Sequence, residues 1–469
     1  MHPSLRALWL IVPIFYIVRC MNMQERLERA AQAASSLLSV GTEVKNAALD
    51  HIARQLESHR EAIFEANRRD MEKARAEGFA APLLKRLLFD GKKLQEVLSG
   101  IRDLLAMPDP VGKVLEARLL DEGLVLRRIS CPIGLIAMIF ESRPDALVQM
   151  ASLAVKSGNA IVLKGGSEAR ESNQTLASVI ARAGEEAGLP QHWLTLLETR
   201  EEIGELLTFD QYVDLVIPRG SKEFVAKIKA ISRIPVLGHS DGVCHVYVHE
   251  DADPTMAEKI VLDSKTQYPA TCNAAEVLLV HARYAEKGLL PLLRALSRAG
   301  VVLDVCMRTA AMLEKAGAGR TSLPYSLKSD DDWSVEYLDL RMAVKIVDSL
   351  DEAIAHINRY GSGHTDSIVC TSPEAAQRFL KEVDSSSVYH NVSTRFADGY
   401  RYGLGAEVGI ATGKLHARGP MGLQGLLTYK WLLEGQGHIV ADYASGRRHF
   451  LHKDLPLDEE SAGSNRKDT

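Results

Sequence analysis

The 469-residue sequence has few cysteines and no C-x-x-C pair. Its cysteines are widely separated, at positions 20, 131, 244, 272, 306 and 370. This spacing does not suit a disulfide framework and is typical of free thiols in a reducing compartment. We therefore expect a cytoplasmic protein whose cysteines remain thiols.

A block of positive charge is also missing. The formal net charge is -5, the sequence pI is about 6.3, and no long basic run occurs in the body of the chain. These values provide no electrostatic surface for nucleic acid. With 46% hydrophobic and 25% charged residues, the composition is typical of a soluble globular protein. We expect its partner to be a small molecule.

No apolar run reaches the roughly 20 residues that a membrane span needs. The apolar stretch from Ala7 to Val18 is followed by Arg19 and Cys20, where a signal peptide has small residues at its cleavage site. We interpret residues 1–22 as an over-extended translation start or an unstructured apolar segment, and we expect no membrane association. A signal peptide or membrane anchor is the alternative.

Periodic patterns predict an α/β protein. Residues 23–105 carry apolar positions at helical spacing, and residues 114–131 indicate a β-hairpin around Gly123. From residue 135 onward, apolar strands alternate with amphipathic helices; the predicted strands include 135–140, 160–165, 193–198, 213–218, 276–281, 301–306, 343–348 and 366–371. Strands that are apolar on both faces indicate parallel sheets covered by helices, here in two lobes. The charged, nonperiodic residues 446–469 predict a disordered tail.

Two turns after predicted strands have the features of phosphate-binding loops. Lys164 lies near the end of one strand, with Ser167 at the following helix start, and Gly220 and Ser221 open a helix after a later strand. Exposed backbone N–H groups at such helix starts bind phosphate. Neither turn contains G-x-G-x-x-G, so each alone is also consistent with ordinary turn chemistry. Together they favour an extended dinucleotide.

Four residues near position 245 have side chains that bind metals: His239, Cys244, His245 and His249. Strand alternation places His245 and His249 on one face, with Tyr247 between them, and the spacing matches no tetrahedral motif. We therefore expect no metal site and interpret these as strand and loop residues.

Cys272 has different surroundings from the other cysteines. Cys306 and Cys370 lie in patterns rich in valine and isoleucine, which are typical of buried thiols. Cys272 follows a Tyr-Pro pair and small residues, and it has polar neighbours at Thr271 and Asn273. These surroundings are consistent with a nucleophile and equally with an ordinary loop thiol.

The order of several motifs resembles that of the gamma-glutamyl phosphate reductases, a branch of the aldehyde dehydrogenase superfamily. The motifs are ESRPDA from residue 141, LKGGSEA from 163, IPRGS from 217, YPATCNA from 268, SVYHNVSTRF from 387 and GLGAEVGIATGKLHARGPMGL from 403. The resemblance covers about residues 23–431. It implies an aldehyde dehydrogenase-like fold with two Rossmann-like parallel-sheet domains and a small β oligomerisation element. It also implies reduction of L-glutamyl 5-phosphate to L-glutamate 5-semialdehyde and phosphate with NADPH, in proline biosynthesis.

The resemblance further implies a division into domains. A cofactor-binding domain is expected at residues 23–250, in which the hairpin near 114–131 serves oligomerisation. A catalytic domain with the nucleophilic cysteine is expected at 251–400, followed by a closing and oligomerisation segment at 401–445. The expected partners are further copies of the chain, as a homo-oligomer, and a glutamate 5-kinase that supplies the acyl phosphate.

By resemblance, Cys272 is the thiolate that attacks the acyl phosphate and forms a thioester. Its backbone N–H, with a side chain at Ser142 or Asn273, is expected to stabilise the oxyanion. Hydrolytic relatives carry a water-activating glutamate where this sequence has Val236. The resemblance therefore implies a thioester that is reduced rather than hydrolysed.

The resemblance also implies cofactor contacts at Lys164 and Ser167. Relatives that bind NAD commonly have a carboxylate at the position of Ser167, and a neutral hydroxyl there tolerates the 2′-phosphate of NADPH. Glu168, the next residue, carries a negative charge that argues against this preference. Glu336 is the expected carboxylate for the nicotinamide ribose, with a solvated strand-edge glutamate as the alternative.

Arg143, Arg395 and Arg418 are candidates for binding the substrate α-carboxylate or the leaving phosphate, because a guanidinium group pairs with both anions. Each is also consistent with a surface or interface arginine. Two other functions fit part of the sequence. An acylating aldehyde dehydrogenase that uses coenzyme A shares the thiol and the cofactor, whereas the retained Cys272 argues against an inactive cofactor-binding scaffold.

Overall fold

The computed structural model describes residues 21–239, 241–318, 322–329, 332–404 and 407–457, and it contains two compact units. The first unit comprises the described residues up to Gly220, Lys227–Val236 and the described residues from Gly422 onward. The second comprises Ser221–Ala226 and the described residues within Leu237–Met421. The predicted apolar segment, apart from residues 21 and 22, lies outside the described residues.

Helices dominate the start of the first unit, as the periodicity predicts. They are α1 (Met23–Leu37), α2 (Thr42–Ser58), α3 (Arg60–Ala76), α4 (Ala81–Leu87) and α5 (Gly91–Ala106). At the start of α1, Asn22 and Glu25 form a capping box, in which each side chain accepts the other residue's backbone N–H. No helix within the described ranges is long and apolar enough to cross a membrane.

The core of the first unit is a four-stranded parallel sheet. Between residues 114 and 219 the strands are β1 (Val114–Asp121), β2 (Leu124–Pro132), β3 (Leu135–Phe140), β4 (Ala160–Lys164), β5 (Leu194–Leu197) and β6 (Leu215–Arg219). The parallel sheet has the order β5-β4-β3-β6. The intervening helices are α6 (Pro144–Ser157), α7 (Arg170–Glu186) and α8 (Glu201–Leu206), and β6 is followed by α9 (Lys222–Ile231). Every residue of β3 and β4 is buried, which explains why β3 is apolar throughout and β4 is apolar up to Leu163.

The second unit contains a seven-stranded sheet. Its strands are β7 (Cys244–Val248), β8 (Ala275–His281), β9 (Val302–Val305), β10 (Tyr325–Leu327), β11 (Arg341–Val347), β12 (Thr365–Val369) and β13 (Ser387–His390). The order is β10-β9-β11-β8-β7-β12-β13, and every neighbouring pair is parallel. The helices are α10 (Pro254–Thr266), α11 (Ala282–Arg298), α12 (Met307–Lys315), α13 (Leu350–Tyr360) and α14 (Pro373–Glu382). A short antiparallel pair follows, β14 (Gly409–Ala411) and β15 (Gly419–Met421).

The chain enters the second unit before residue 250, where the domain boundary is expected. Strand β7 pairs with β8 and β12 and therefore belongs to the second sheet. The expected segment 401–445 is also divided, because residues up to Met421 belong to the second unit and those from Gly422 belong to the first. An apolar strand pattern indicates burial but does not identify the sheet that the strand joins.

The predicted hairpin is present and forms part of an antiparallel sheet. After β16 (Leu427–Glu434) and α15 (Val440–Ala444), strand β17 (Lys453–Asp454) completes the order β16-β2-β1-β17. The backbone N–H groups of Leu451 and Leu455 donate to the carbonyls of Leu120 and Ala117. The prediction of disorder is therefore wrong for residues 446–457, while 458–469 lie outside the described residues. A two-residue strand has too little periodicity to detect, and its order comes from pairing with β1.

A fully buried ion pair joins α10 to β8. Lys265 Nζ lies 2.6 Å from Glu276 Oε2, and both side chains are 0% exposed. Burial raises the pKa of Glu276 to about 7 and lowers that of Lys265, and their mutual attraction opposes both shifts. The second oxygen of Glu276 accepts the backbone N–H of Leu338 at 3.3 Å. Leu338 has a φ of 54°, so this contact holds a strained loop residue.

We expect Lys265→Met to reduce the free energy of unfolding by about 3 to 5 kcal/mol, because it leaves Glu276 buried without its cation. The double variant Lys265→Met/Glu276→Leu removes both charges and should recover most of that loss. Urea unfolding of both variants, of Glu276→Leu and of the wild type measures the coupling. If the two single losses simply add in the double variant, the pair does not act as a unit.

Candidate active site

Cys272 lies in the loop between α10 and β8. The backbone N–H of Ala274 donates to the carbonyl of Thr271 at 2.9 Å and closes a tight turn around the cysteine. Cys272 is partly exposed, whereas Cys244, Cys306 and Cys370 are buried. Burial raises the pKa of Cys370 to about 11 and that of Cys244 well above its ordinary value. These two thiols are therefore unsuited to act as nucleophiles.

Gly242 connects Cys272 with Glu336. A Cβ atom at Gly242 would lie 2.0 Å from the carbonyl oxygen of Cys272 and 2.5 Å from its Cα, so no side chain fits there. The backbone N–H of Gly242 donates to the carboxylate of Glu336, whose pKa burial raises. The thiol of Cys244 also donates to the carbonyl of Cys272, at 3.2 Å. The loop that carries the predicted nucleophile is thus packed against the loop that precedes β7 and is linked through it to Glu336.

The loops that carry Cys272, Gly242 and Glu336 lie at one edge of the second sheet, where its strands begin. Cys272 precedes β8, Gly242 precedes β7, Glu336 precedes β11 and His364 precedes β12. The four strands are adjacent in the order β11-β8-β7-β12 and are parallel. The amino ends of parallel strands meet at the same edge, so the topology brings the four loops together.

Sequence reasoning missed the grouping of two histidines with Cys272. One ring nitrogen from each of His239 and His364 and the Cys272 sulfur all lie within 4.8 Å of one another. In contrast, Nδ1 of His245 contacts Asp366 and Nδ1 of His249 contacts Asp251, each at 2.9 Å. The histidines lie in short loop sequences, GHSDG and GSGHTD, that have no repeating spacing. Only their position at the strand edge identifies them.

Arg395 lies beside the Cys272 loop. Its Nη1 donates to Thr271 Oγ1 at 2.7 Å and its Nε donates to Gln267 Oε1 at 2.9 Å. It is 7% exposed. Burial lowers its pKa, the charge of Arg401 lowers it further, and negative charge at Cys272 opposes both effects. A cation is therefore held close to the thiol.

The other candidate arginines are placed differently. Arg418 forms an ion pair with Asp384, with Nη1 lying 3.0 Å from Oδ1. Arg143 is exposed and precedes α6 in the first unit. The structure therefore gives Arg395 the most direct connection to the Cys272 loop, while the substrate roles of Arg143 and Arg418 remain predictions.

Asn273 has a structural contact. Its side chain is buried, and Nδ2 donates to the carbonyl of Ala397 at 2.8 Å. Its Oδ1 accepts the hydroxyl of Thr271 at 3.0 Å. These bonds fix the loop on both sides of Cys272. The oxyanion role of the Asn273 side chain remains a prediction.

In the first unit, Ser142 and Glu168 form a compact contact. Ser142 has a φ of 45°, and its backbone N–H and hydroxyl both donate to Glu168 Oε1, at 2.7 and 2.6 Å. A positive φ is uncommon for serine and is characteristic of a constrained site. In this conformation Glu168 accepts both donors that Ser142 would offer an oxyanion, so the oxyanion role of Ser142 remains a prediction.

The predicted phosphate-binding turns follow strands, as expected. Lys164 ends β4; it is buried, its ammonium donates to the carbonyl of Gly165, and burial lowers its pKa. Ser167 is exposed at the start of a 3₁₀ turn. Gly220 follows β6, and Ser221 precedes α9, where its hydroxyl accepts the backbone N–H of Phe224 at 3.4 Å. These positions are suitable for cofactor phosphates.

Comparison with known proteins agrees with this arrangement. The aldehyde dehydrogenase family model matches residues 19–305. The chain is 54% identical over 438 residues to the gamma-glutamyl phosphate reductase of Pelotomaculum thermopropionicum, covering 93% of this chain and 99% of the relative. It is 53% identical over 441 residues to that of Acetivibrio thermocellus, covering 93% and 100%.

A solved structure gives the same result. The crystal structure of gamma-glutamyl phosphate reductase from Thermotoga maritima is similar with a TM-score of 0.85 and 38% identity, covering 89% of this chain and 99% of that one. The chain therefore belongs to the aldehyde dehydrogenase family and, within it, to the gamma-glutamyl phosphate reductases.

Proposed function

We propose that this chain reduces L-glutamyl 5-phosphate to L-glutamate 5-semialdehyde and phosphate, with Cys272 as the nucleophile and NADPH as the hydride donor, in proline biosynthesis. The reductase name of relatives that match over nearly their whole length supports the reaction. The observation that carries the mechanism is the placement of Cys272, partly exposed, beside the buried Arg395 and linked through Gly242 to Glu336.

In the first step, the Cys272 thiolate attacks the acyl carbon of the substrate. The bond from that carbon to the phosphate oxygen breaks, inorganic phosphate leaves, and a thioester forms on Cys272. Arg395 stabilises the thiolate before attack, because its charge lies close to the thiol. Two of its nitrogens are bonded to Gln267 and Thr271, so the guanidinium is held in one orientation for a substrate anion.

In the second step, the thioester is reduced. Aldehyde dehydrogenases use NAD or NADP, and a bound NADPH would supply the hydride that the thioester carbon accepts, leaving NADP+. The carbon–sulfur bond then breaks, Cys272 leaves as a thiolate and the aldehyde is released. Glu336 would hold the nicotinamide ribose, since the N–H of Gly242 fixes its carboxylate.

The first unit contains features that suit the other half of the cofactor. A Cβ at Gly165 would lie 2.1 Å from the side-chain nitrogen of Asn173, so a larger residue in the turn after Lys164 would displace that buried side chain. Ser167 is neutral and exposed, which supports NADPH over NADH. The carboxylate of Glu168 accepts two hydrogen bonds from Ser142 but keeps its negative charge, which acts on Lys164 and argues against this preference.

Assembly and location extend the proposal. Strand β16 is an edge strand of its sheet, with exposed apolar side chains at Tyr429, Trp431 and Leu433. Such an edge is suited to pairing with a second copy of the chain. A free catalytic thiol requires a reducing compartment, which supports the cytoplasm. A glutamate 5-kinase remains the proposed source of the labile acyl phosphate.

We expect Cys272→Ser to abolish reduction while NADPH binding persists, because a serine hydroxyl is a far poorer nucleophile than a thiolate near neutral pH. The matched control is Cys131→Ser, which changes the other described thiol that is partly exposed. Activity is measured by NADPH consumption and binding by fluorescence titration. Substantial activity in Cys272→Ser, or its loss in Cys131→Ser, would contradict the assignment.

We expect Ser167→Glu to erase or reverse the preference for NADPH. A carboxylate near the 2′-phosphate should cost about 1 to 3 kcal/mol, or roughly tenfold to a hundredfold in discrimination. The ratio of kcat/KM for the two cofactors measures the effect, with Ser167→Ala as the uncharged control. An unchanged ratio in Ser167→Glu would show that the 2′-phosphate lies elsewhere.

We expect oxidation of the semialdehyde to require inorganic phosphate or arsenate. The sequence has Val236 where hydrolytic relatives have a base, and general-base assistance is usually worth about 10² to 10⁴ in rate. NADPH formation is compared in phosphate-free buffer and after addition of phosphate, with sulfate as the ionic-strength control and coenzyme A as the competing acyl acceptor. Equal rates with and without phosphate would identify a hydrolytic aldehyde dehydrogenase, and stimulation by coenzyme A alone would identify an acylating one.

A further inference from the structure

His239, Cys272 and His364 bring together three donor atoms of the kinds that bind metals, a property separate from thioester formation. Sulfur and imidazole nitrogen are the donors that zinc prefers in proteins. The three donor atoms come from separate loops and lie within 4.8 Å of one another. They all belong to the second unit, at the edge formed by the amino ends of β7, β8 and β12.

The ring of His239 has a fixed orientation. Its Nδ1 lies 2.8 Å from the carbonyl oxygen of Ile410. A carbonyl only accepts, so Nδ1 carries the proton and Nε2 carries the lone pair. Histidines that bind metals are commonly held in this way, with the second nitrogen donating to a backbone carbonyl.

His364 provides a second and independent observation. The residue is 0% exposed, its Nδ1 lies 2.8 Å from Thr365 Oγ1, and its Nε2 is buried without a hydrogen-bond partner. A buried polar nitrogen without a partner is costly, and such a group in a native structure requires an explanation. A metal ion bound to this nitrogen would supply that explanation.

The geometry requires only a local adjustment. In a tetrahedral zinc site the donors lie about 3.3 to 3.6 Å apart, which follows from the usual zinc–sulfur and zinc–nitrogen distances. The donors here must therefore approach by no more than roughly 1 to 1.5 Å. Cys272 lies in a partly exposed loop outside β8, and rotation of its side chain can supply that movement.

We propose that His239, Cys272 and His364 bind one Zn²⁺ ion and that the bound ion reversibly blocks the thiol. The sulfur–hydrogen bond is replaced by a sulfur–zinc bond, and the proton passes to solvent. No electron transfer is involved. The three protein ligands leave a fourth position for water. Binding of the ion stands independently of the reaction, whereas inhibition rests on the proposed role of Cys272.

The positive charge of Arg395 limits the affinity of the site for zinc. Arg395 acts electrostatically on Cys272, and its positive charge opposes a second cation at the same sulfur. No carboxylate is among the three donors to offset it. We therefore expect a weaker and more easily chelated site than a structural zinc centre.

The experiment measures binding to the full chain first. Zn²⁺ binding is followed by competition with a chromophoric chelator, and Co²⁺ serves as a probe of thiolate ligation through its sulfur-to-metal charge-transfer absorption. We expect one ion per chain, a charge-transfer band, and affinity lowered by more than about tenfold in Cys272→Ser, His239→Ala and His364→Gln. Cys131→Ser is the matched thiol control and should bind like the wild type.

Several outcomes would overturn the site. These are failure of the wild type to bind zinc, a cobalt complex without the charge-transfer band, or affinity in Cys272→Ser equal to that of Cys131→Ser. If His364→Gln fails to fold because the residue is fully buried, His239→Ala decides the histidine contribution, since His239 is only partly buried.

Activity measurements distinguish a failure of the zinc site from a failure of the proposed reductase mechanism. Zinc should inhibit the wild type, and a chelator should restore it. Loss of activity in Cys272→Ser without zinc binding in the wild type would reject the metal site and leave the reductase mechanism standing. Zinc binding through Cys272 together with full activity in Cys272→Ser would support the metal site and reject the nucleophile.

Discussion

The candidate site of the second unit depends on the close approach of Gly242 to the backbone of Cys272. Any Cβ atom at residue 242 would overlap with the cysteine backbone, so contact between these two loops requires glycine. The same glycine donates its N–H to Glu336. One residue without a side chain therefore sets the positions of the proposed nucleophile and of the proposed ribose-binding carboxylate.

The charges around this contact fall into two sets. Arg395 lies beside the Cys272 loop and favours the thiolate, which is the reactive form of the side chain. Lys265 and Glu276 neutralise each other in the core, and Glu276 also holds the loop at Leu338. The first set supports the proposed chemistry, and the second contacts the loop that carries Glu336 through the backbone of Leu338.

The candidate residues of the two units lie at opposite ends of their strands. Lys164 ends a strand, and Ser167 and Gly220 follow strands, so all three lie at carboxyl ends, where α/β proteins generally bind phosphates. Cys272, Glu336 and His364 precede strands. The usual rule therefore identified the proposed cofactor turns from sequence but not the histidines. Cys272 was identified by its polar surroundings and by resemblance.

Sequence and structure agree wherever local pattern is sufficient. The strand predicted at 135–140 is β3, and the hairpin at 114–131 is β1 and β2, because continuous burial and a glycine turn both leave local signals. No local sequence signal indicates that β17 pairs with β1 or that β7 belongs to the second sheet. Both depend on a partner that is distant in sequence.

The sequence by itself determined the α/β class, the positions of most strands and the cysteine with unusual surroundings, since each follows from composition and short-range periodicity. Only the tertiary structure decided that β11, β8, β7 and β12 are neighbours, and therefore that Glu336, Cys272, Gly242 and His364 share one edge. The alternation of apolar residues shows that a strand is buried on both faces. It contains no information on which strand lies beside it, because strand order is set by the crossover connections and by packing among distant parts of the chain.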